Sequence, residues 1–170
     1  LISSKPILYV CNVDESSILS GNKLSEHVYK KSQTEFNMCV NISASIESQL
    51  AEFKDENEKK EILNSLGLKE TALNKIVHAG YELLNLKTFF TCGPKETRAW
   101  TINNNSKAPE AAGKIHTDFQ KGFIRAETIS YEDFINYNGE SGAREAGKLR
   151  LEGKEYIVQD GDVIHFLFNN

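Results

Sequence analysis

The stretch His116-Thr117-Asp118-Phe119-Gln120-Lys121-Gly122-Phe123-Ile124-Arg125-Ala126-Glu127 constrains the fold most, because it reads as a helix end passing through a glycine turn into a strand. Upstream of it, Ala108 to Ile115 carries helix-forming Ala and Glu, with Pro109 in the first turn where proline is tolerated. Gly122 stands where a sharp reversal asks for positive φ. Phe123 to Glu127 then alternates apolar and polar residues, the period of a strand with one buried face.

Everything from Leu86 onward arranges around this corner. Leu86 to Thr91 is a strand ending at the turn Cys92-Gly93-Pro94-Lys95, and Thr97 to Ile102 is its hairpin partner. Asn103 to Ser106 is a loop, and Tyr131 to Asn136 is a short helix capped by Ser130. Gly139 to Gly147 reads as a connector. Two last strands, Glu155 to Val158 and Val163 to Phe168, flank the turn Gln159-Asp160-Gly161-Asp162. Strand-strand-helix-strand-strand is the order of a small β-grasp domain. Its expected core is Phe89, Trp100, Ile102, Ile115, Phe119, Phe123, Ile124, Ile157, Val163, Ile164 and Phe166.

The first half has a different grammar. Pro6 to Cys11 is a continuous apolar run, as expected of a strand buried on both faces of a parallel sheet, and it ends in Asn12-Val13-Asp14-Glu15. Ligands of open α/β sheets sit just beyond the carboxyl ends of strands, which makes that tetrapeptide a candidate site. Residues 22–37 read as polar and partly helical. Met38 to Ile42 is a second apolar strand, ending in Ser43-Ala44-Ser45 before a helix from Ile46 to Lys54. The charge run Asp55 to Lys60 is a solvated helix surface or loop; a helix closing near Gly67 follows, then another from Thr71, its cap, to Leu84. Two such strands are a fragment of a doubly wound nucleotide-binding sheet and too few to complete one.

Composition excludes little beyond this. The chain has 39% hydrophobic and 26% charged residues, no run long enough to span a membrane and no signal-peptide pattern, so a cytoplasmic protein without a membrane partner is expected. Cys11, Cys39 and Cys92 are far apart and lack zinc spacing, so buried free thiols are expected. Residues 1–85 hold nine Lys against twelve acids (−3), and 86–170 hold eleven Lys plus Arg against twelve (−1), so a strongly basic nucleic-acid footprint is absent. His116 and His165 read as packing or surface residues, and Trp100, on an alternating strand, as core. Gly139-x-x-Gly142 has neither the preceding strand nor the following Lys-Ser/Thr of a phosphate loop.

Several blocks resemble one family. Lys5 to Val10 with Asn12-Val13-Asp14-Glu15, Ala79 to Leu84, Arg98-Ala99-Trp100-Thr101, His116 to Glu127, and Leu151-Glu152-Gly153-Lys154 through Gln159-Asp160-Gly161-Asp162 to His165-Phe166 are similar, in order, to the YchF family of Obg-like ATPases. The resemblance covers essentially the whole chain. It implies an α+β fold in which residues 86–170 form a TGS domain, a ubiquitin-like β-grasp, and 1–85 are the last strands and helices of a P-loop G domain. Family members are translation-associated proteins that bind ribosomes, so ribosome or ribosomal RNA is the implied partner. Asn12, Val13, Glu15, Ser43 and Ala44 match the nucleotide-base site. Related GTPases use Asn-Lys-x-Asp, whose Asp takes the guanine N1 and N2 protons. Glu15 is one methylene longer, Val13 replaces the lysine stem, and Asn12 can bond adenine N6 and N7, so adenine is preferred over guanine.

The resemblance also implies ATP or GTP with Mg in an intact parent. No Gly-x-x-x-x-Gly-Lys-[Ser/Thr] occurs in these 170 residues, so no tightly bound nucleotide and no hydrolysis are expected of this chain alone. Arg98, Lys121, Arg125, Lys148, Arg150 and Lys154 are the candidate cations for ribosome or RNA contact, with Arg98 and Arg125 expected on the face opposite Trp100 and Phe123, and Lys148 and Arg150 on one side of their strand. The competing expectation is a β-grasp adaptor with a protein partner and neither nucleotide nor RNA.

Overall fold

The computed structural model describes residues 4–169. The chain divides in sequence between Leu84 and Asn85 into two compact units.

In the first unit, β1 (Leu8–Asn12) and β2 (Met38–Ile42) pair in parallel, from Leu8 opposite Met38 to Asn12 opposite Ile42. A 3-10 turn (Glu15–Ser17) and α1 (Lys23–Thr34) connect them. The Asn22 side chain starts α1 by accepting from the backbone N–H groups of Leu24 and Ser25, while its own N–H donates to the Ser25 hydroxyl at 2.8 Å. After β2 come α2 (Ala44–Glu52), α3 (Glu56–Ser65) and α4 (Ala72–Leu83). Asp55 caps α3, so the charge run opens a helix, and Thr71 caps α4 as its position predicts. At the end of α3, Gly67 has φ +70°, which lets the Leu68 N–H reach back to the Leu63 carbonyl. Ile46, Leu50 and Leu63 form this unit's small core.

The expectation that β1 is buried on both faces is not met. Ile7 is 44% and Val10 42% exposed, because β2 is the only strand paired with β1 among the described residues. The cysteines are free, but Cys11 and Cys39 are only half-buried and Cys92 is exposed. Burial, then the Cys11 sulfur 3.8 Å away, pushes the Cys39 thiol up.

The second unit comprises β3 (Leu86–Cys92), β4 (Thr97–Asn103), α5 (Ala108–Ile115), α6 (Thr117–Lys121), β5 (Phe123–Ser130), α7 (Tyr131–Asn136), α8 (Glu140–Glu145), β6 (Arg150–Glu152) and β7 (Asp162–Phe168). The sheet order is β4-β3-β7-β5-β6, with the last strand of the chain in the centre. It runs parallel to β3 and antiparallel to β5. On one face, Phe89, Ile102, Phe123, Ala126, Ile164 and Phe166 pack with Ala108, Ala111 and Ala112 of α5. Phe89 is the hub, edge-on to Phe166 at 5.8 Å and stacked on the half-buried Trp100 at 6.5 Å. The alanines of α5 are fully buried, and their small side chains let the helix backbone approach the aromatic layer.

Several expectations are corrected here. The helix breaks at His116, whose Nδ1 accepts from the Asp118 N–H, so the corner is built from two helices, α5 and α6. Gly122 has φ −88° and needs no positive φ. What it needs is space: a Cβ there would stand 1.9 Å from the Asn169 carbonyl oxygen, because Gly122 and Asn169 are joined by a 2.8 Å backbone hydrogen bond. Phe123 pairs with Phe168 but Arg125 with Leu167, so Ile124 is a bulge and lies 51% exposed, outside the core. Glu155 to Val158 makes only an isolated bridge, Lys107 to Ile157, since Ser106 and Lys107 are all the extended backbone it meets before α5 starts. Ile157 is consequently 43% exposed and Val158 is buried instead. The penultimate strand is Arg150–Glu152, and the expected connector contains α8.

Gly122→Ala is expected to destabilise the second unit by about 2 kcal/mol, the cost of forcing a methyl group into a packed backbone contact. Urea denaturation followed by tryptophan fluorescence reads this through Trp100; an unchanged midpoint would show that the close approach does not matter.

Candidate functional site

The five candidate base-site residues come together at the carboxyl ends of β1 and β2. Asn12 closes β1, and the next N–H, that of Val13, extends the ladder to the Ile42 carbonyl at 2.9 Å. The Asn12 Oδ1 accepts from the Ala44 N–H at 3.0 Å. Glu15 Oε1 accepts from the Ser45 hydroxyl at 2.7 Å and from the Gln49 Nε2 at 2.8 Å. The loop after β1 is thereby tied at two points to the start of α2, and Val13 is buried beneath it. Ser43, at the head of α2, is 2% exposed, and its hydroxyl has no hydrogen-bond partner. Asp14 stays out of this network. Its own backbone N–H first, then the Ser16 and Ser17 hydroxyls, hold its carboxyl below the usual carboxylate range.

The geometry leaves the Asn12 Nδ2 as a donor beside an engaged acceptor, the arrangement that reads an acceptor on a flat base edge. Sequence reasoning named Asn12, Val13, Glu15, Ser43 and Ala44 but missed what holds Glu15. The signal was present: Ser45 and Gln49 lie four residues apart, on one face of the helix that begins at the site.

The six candidate cations do not form one set. Arg98 shares the face of Trp100, its guanidinium 5.8 Å from the ring centre, and pairs with Glu96 at 3.0 Å. Residues two apart on a strand point the same way, so the expectation that Arg98 opposes Trp100 is corrected. Arg125 does lie on the opposite face from Phe123, because the bulge at Ile124 intervenes; Arg98 and Arg125 therefore occupy opposite faces of the sheet. Lys148 precedes β6 rather than sharing it and sits 3.6 Å from Asp133. Arg150 contacts Glu152 at 3.1 Å, the Tyr156 hydroxyl at 3.0 Å and buried Asp162 at 3.2 Å. Among the described residues, Lys121, Arg125 and Lys154 are exposed with no ion-pair partner. Also among the described residues, no group of His, Cys, Asp and Glu could hold a metal and no helix is long and apolar enough to cross a membrane.

Residues 86–169 match the family model YchF-GTPase_C, described as "Protein of unknown function (DUF933)". The ribosome-binding ATPase YchF of Escherichia coli O157:H7 is 54% identical over 168 residues, covering 99% of this chain and 46% of that protein. The chain belongs to the YchF family. The Bacillus subtilis (strain 168) ribosome-binding ATPase YchF is 52% identical over 171 residues, with the same coverage. Among solved structures, the YchF GTPase of Schizosaccharomyces pombe is similar with a TM-score of 0.77 and 37% identity, over 98% of this chain and 44% of that one. A GTP-binding protein from Pyrococcus horikoshii OT3, at 19% identity and a TM-score of 0.64, shows the same fold. The chain thus spans about half the length of the YchF relatives it matches.

The placement of the cations separates structural from available charge. Arg150→Ala is expected to cost about 2 kcal/mol, since it strips buried Asp162 of its countercharge. Arg125→Ala should stay within about 0.5 kcal/mol of the parent. Chemical denaturation of both variants checks the contrast, and equal stabilities would refute it.

Proposed function

We propose that this chain is the C-terminal part of a ribosome-associated, YchF-like protein that binds ATP or GTP in the cytoplasm. In this reading, residues 1–85 close the base end of a nucleotide site as the last strands and helices of a P-loop G domain, and 86–170 are a β-grasp TGS domain that docks on ribosomal RNA or protein. The two-parallel-strand unit with polar loops at its carboxyl ends supports the first assignment. The second is supported by a mixed sheet of order β4-β3-β7-β5-β6 with α5 packed across one face.

The observation that carries the nucleotide reading is the pair of ties from Asn12 to Ala44 and from Glu15 to Ser45 and Gln49. They hold the loop where a base edge would lie. They also favour adenine. Guanine would have to present both its N1 and N2 protons to a carboxylate with one oxygen, Oε2, left, since Oε1 already takes two donors. The Asn12 Nδ2 can donate to N7, and its Oδ1, which already takes the Ala44 N–H, has one lone pair left to accept from N6. Residues of this chain supply base contacts only, and the phosphates and magnesium of a P-loop protein would be held by the Gly-x-x-x-x-Gly-Lys-[Ser/Thr] motif. When bound, magnesium neutralises charge on the phosphates.

Two measurements test this reading. Calorimetric titration of the 170-residue chain should show ATP and GTP binding no tighter than about millimolar, because the phosphate contacts are the larger electrostatic share of nucleotide affinity. Micromolar binding would contradict it. Replacing Lys121, Arg125 and Lys154 together by Ala should weaken ribosome co-sedimentation and flatten its salt dependence by about one unit of log–log slope for each phosphate that is no longer neutralised. Binding and slope that stay unchanged would rule out docking through these cations.

A further inference from the structure

The sheet of the second unit has a second face, turned away from α5, on which the RNA reading uses Arg125 but not the pocket beside Glu127 and Ile129. There α7 and α8 lean over the end of the sheet and enclose a pocket of about 220 Å³. Its floor is apolar: Ile129 of β5, Val163 of β7, Phe134 of α7 and Leu149. Its rim is acidic. Glu127 and Glu140 both reach it, and they share one guanidinium, that of Arg144, at 3.0 and 2.8 Å. His165, opposite Glu127 across the β5–β7 pair, lines the same wall and Arg125 lies two residues before Glu127, but the Arg144 guanidinium alone is within ion-pair distance of the two carboxylates. The Glu127 side chain is only 14% exposed, so its charge is weakly screened and would be stabilised by a second cation.

The walls are preformed. Gly142 brings α8 so close to α7 that a Cβ would lie 1.9 Å from the Tyr137 carbonyl oxygen. Tyr131 packs on Phe90 at 5.9 Å and fixes the start of α7 against the sheet. On the other side the hairpin turn Gly93-Pro94 closes the mouth beside exposed Cys92.

We propose that this pocket receives one bulky apolar side chain of a protein partner, with a Lys or Arg next to it in the partner's sequence pairing with the Glu127–Glu140 rim. A preformed apolar pocket large enough for one side chain, ringed by polar groups, is the form that an interface anchor takes. The charge selects the class of partner. Phosphate backbone would meet two carboxylates here, whereas a basic protein segment would complete the pairing that Arg144 leaves unfinished. This inference is independent of the nucleotide site, which lies in the other unit.

The test uses the whole 170-residue chain, labelled with nitrogen-15, and three probes: acetyl-Leu-Arg-amide, acetyl-Leu-Glu-amide and a short oligouridylate. The Leu-Arg probe should shift the amide signals of Ile129, Leu149 and Val163 and bind at least tenfold more tightly than the Leu-Glu probe. Cys92→Trp, at an exposed position on the mouth, should weaken that binding tenfold or more while signals around Phe89 stay in place. Glu140→Gln should keep binding of the leucine but reduce the preference for arginine. Equal binding of the two peptides, no effect of Cys92→Trp, or displacement of the same signals by the oligouridylate would each overturn the proposal, the last in favour of RNA.

Discussion

Asp162, buried to 2% exposure at the first position of the central strand, is the group on which the second unit depends. A carboxylate taken out of water is tolerated only when its oxygens are met by donors and its charge by a cation. Here the Tyr156 hydroxyl donates at 2.6 Å, the Gln159 N–H at 2.8 Å, and Arg150 supplies the charge at 3.2 Å. Burial first, then this hydrogen bond to Asp162, pushes the Tyr156 phenol far above its usual range, so it remains a donor at any physiological pH. These demands fix the course of the loop that returns to β7. The other side of that loop is held by β3: Lys87 donates to the Val158 carbonyl, Thr88 N–H to Asp160 and Gly161 N–H to the Thr88 carbonyl, each at 2.8 Å. Because β7 lies between β3 and β5, the loop sets where the central strand begins against both.

Among the described residues the first unit has no such buried charge, and its order at the candidate site comes from side chains reaching between two strand ends. Asn12 takes up the Ala44 N–H, one of the orphan donors at the head of α2. That bond fixes the position of the Asn12 amide against the helix end. The same logic applies to Glu15, whose two donors hold a flexible side chain in one place. In the proposed reading, a loop organised in this way would contribute selectivity for a base, and the strength of nucleotide binding would come from charges elsewhere.

What was legible in the sequence was local. Thr71 and Ser130 cap helices as their positions predicted, because a short acceptor side chain beside a helix start acts within three residues, whereas Asp55, read only as part of a charge run, proves to be a cap as well. The parallel pair was legible as two short apolar runs, each ending in a polar loop. What escaped was decided at longer range. The strand Arg150–Glu152 has three residues and no alternation to display, and it exists because β5 offers it an edge. Glu155 to Val158 looks more like a strand than it does, yet meets too little extended backbone to be one. Ala108, Ala111 and Ala112 read as helix formers, and only the packing shows them as core. Ile124 carries a core residue's chemistry on a bulge that turns it to solvent.

The cationic residues show why composition says little about surfaces. The second unit carries eleven Lys plus Arg against twelve acids, a balance that suggests no electrostatic preference. Yet Arg150 serves buried Asp162, Lys148 lies beside half-buried Asp133, and Arg98 pairs with Glu96 at the surface. Lys121, Arg125 and Lys154 keep their charge for solvent or a partner, while the rim of Glu127 and Glu140 keeps an excess of the other sign. A near-zero sum is therefore compatible with exposed cations at Lys121 and Lys154 and with a pair of carboxylates at the pocket rim, where Arg125 shares the strand face of Glu127. Which charges are available to a partner is settled by which ones the buried groups have already claimed, and that follows from burial rather than from the count.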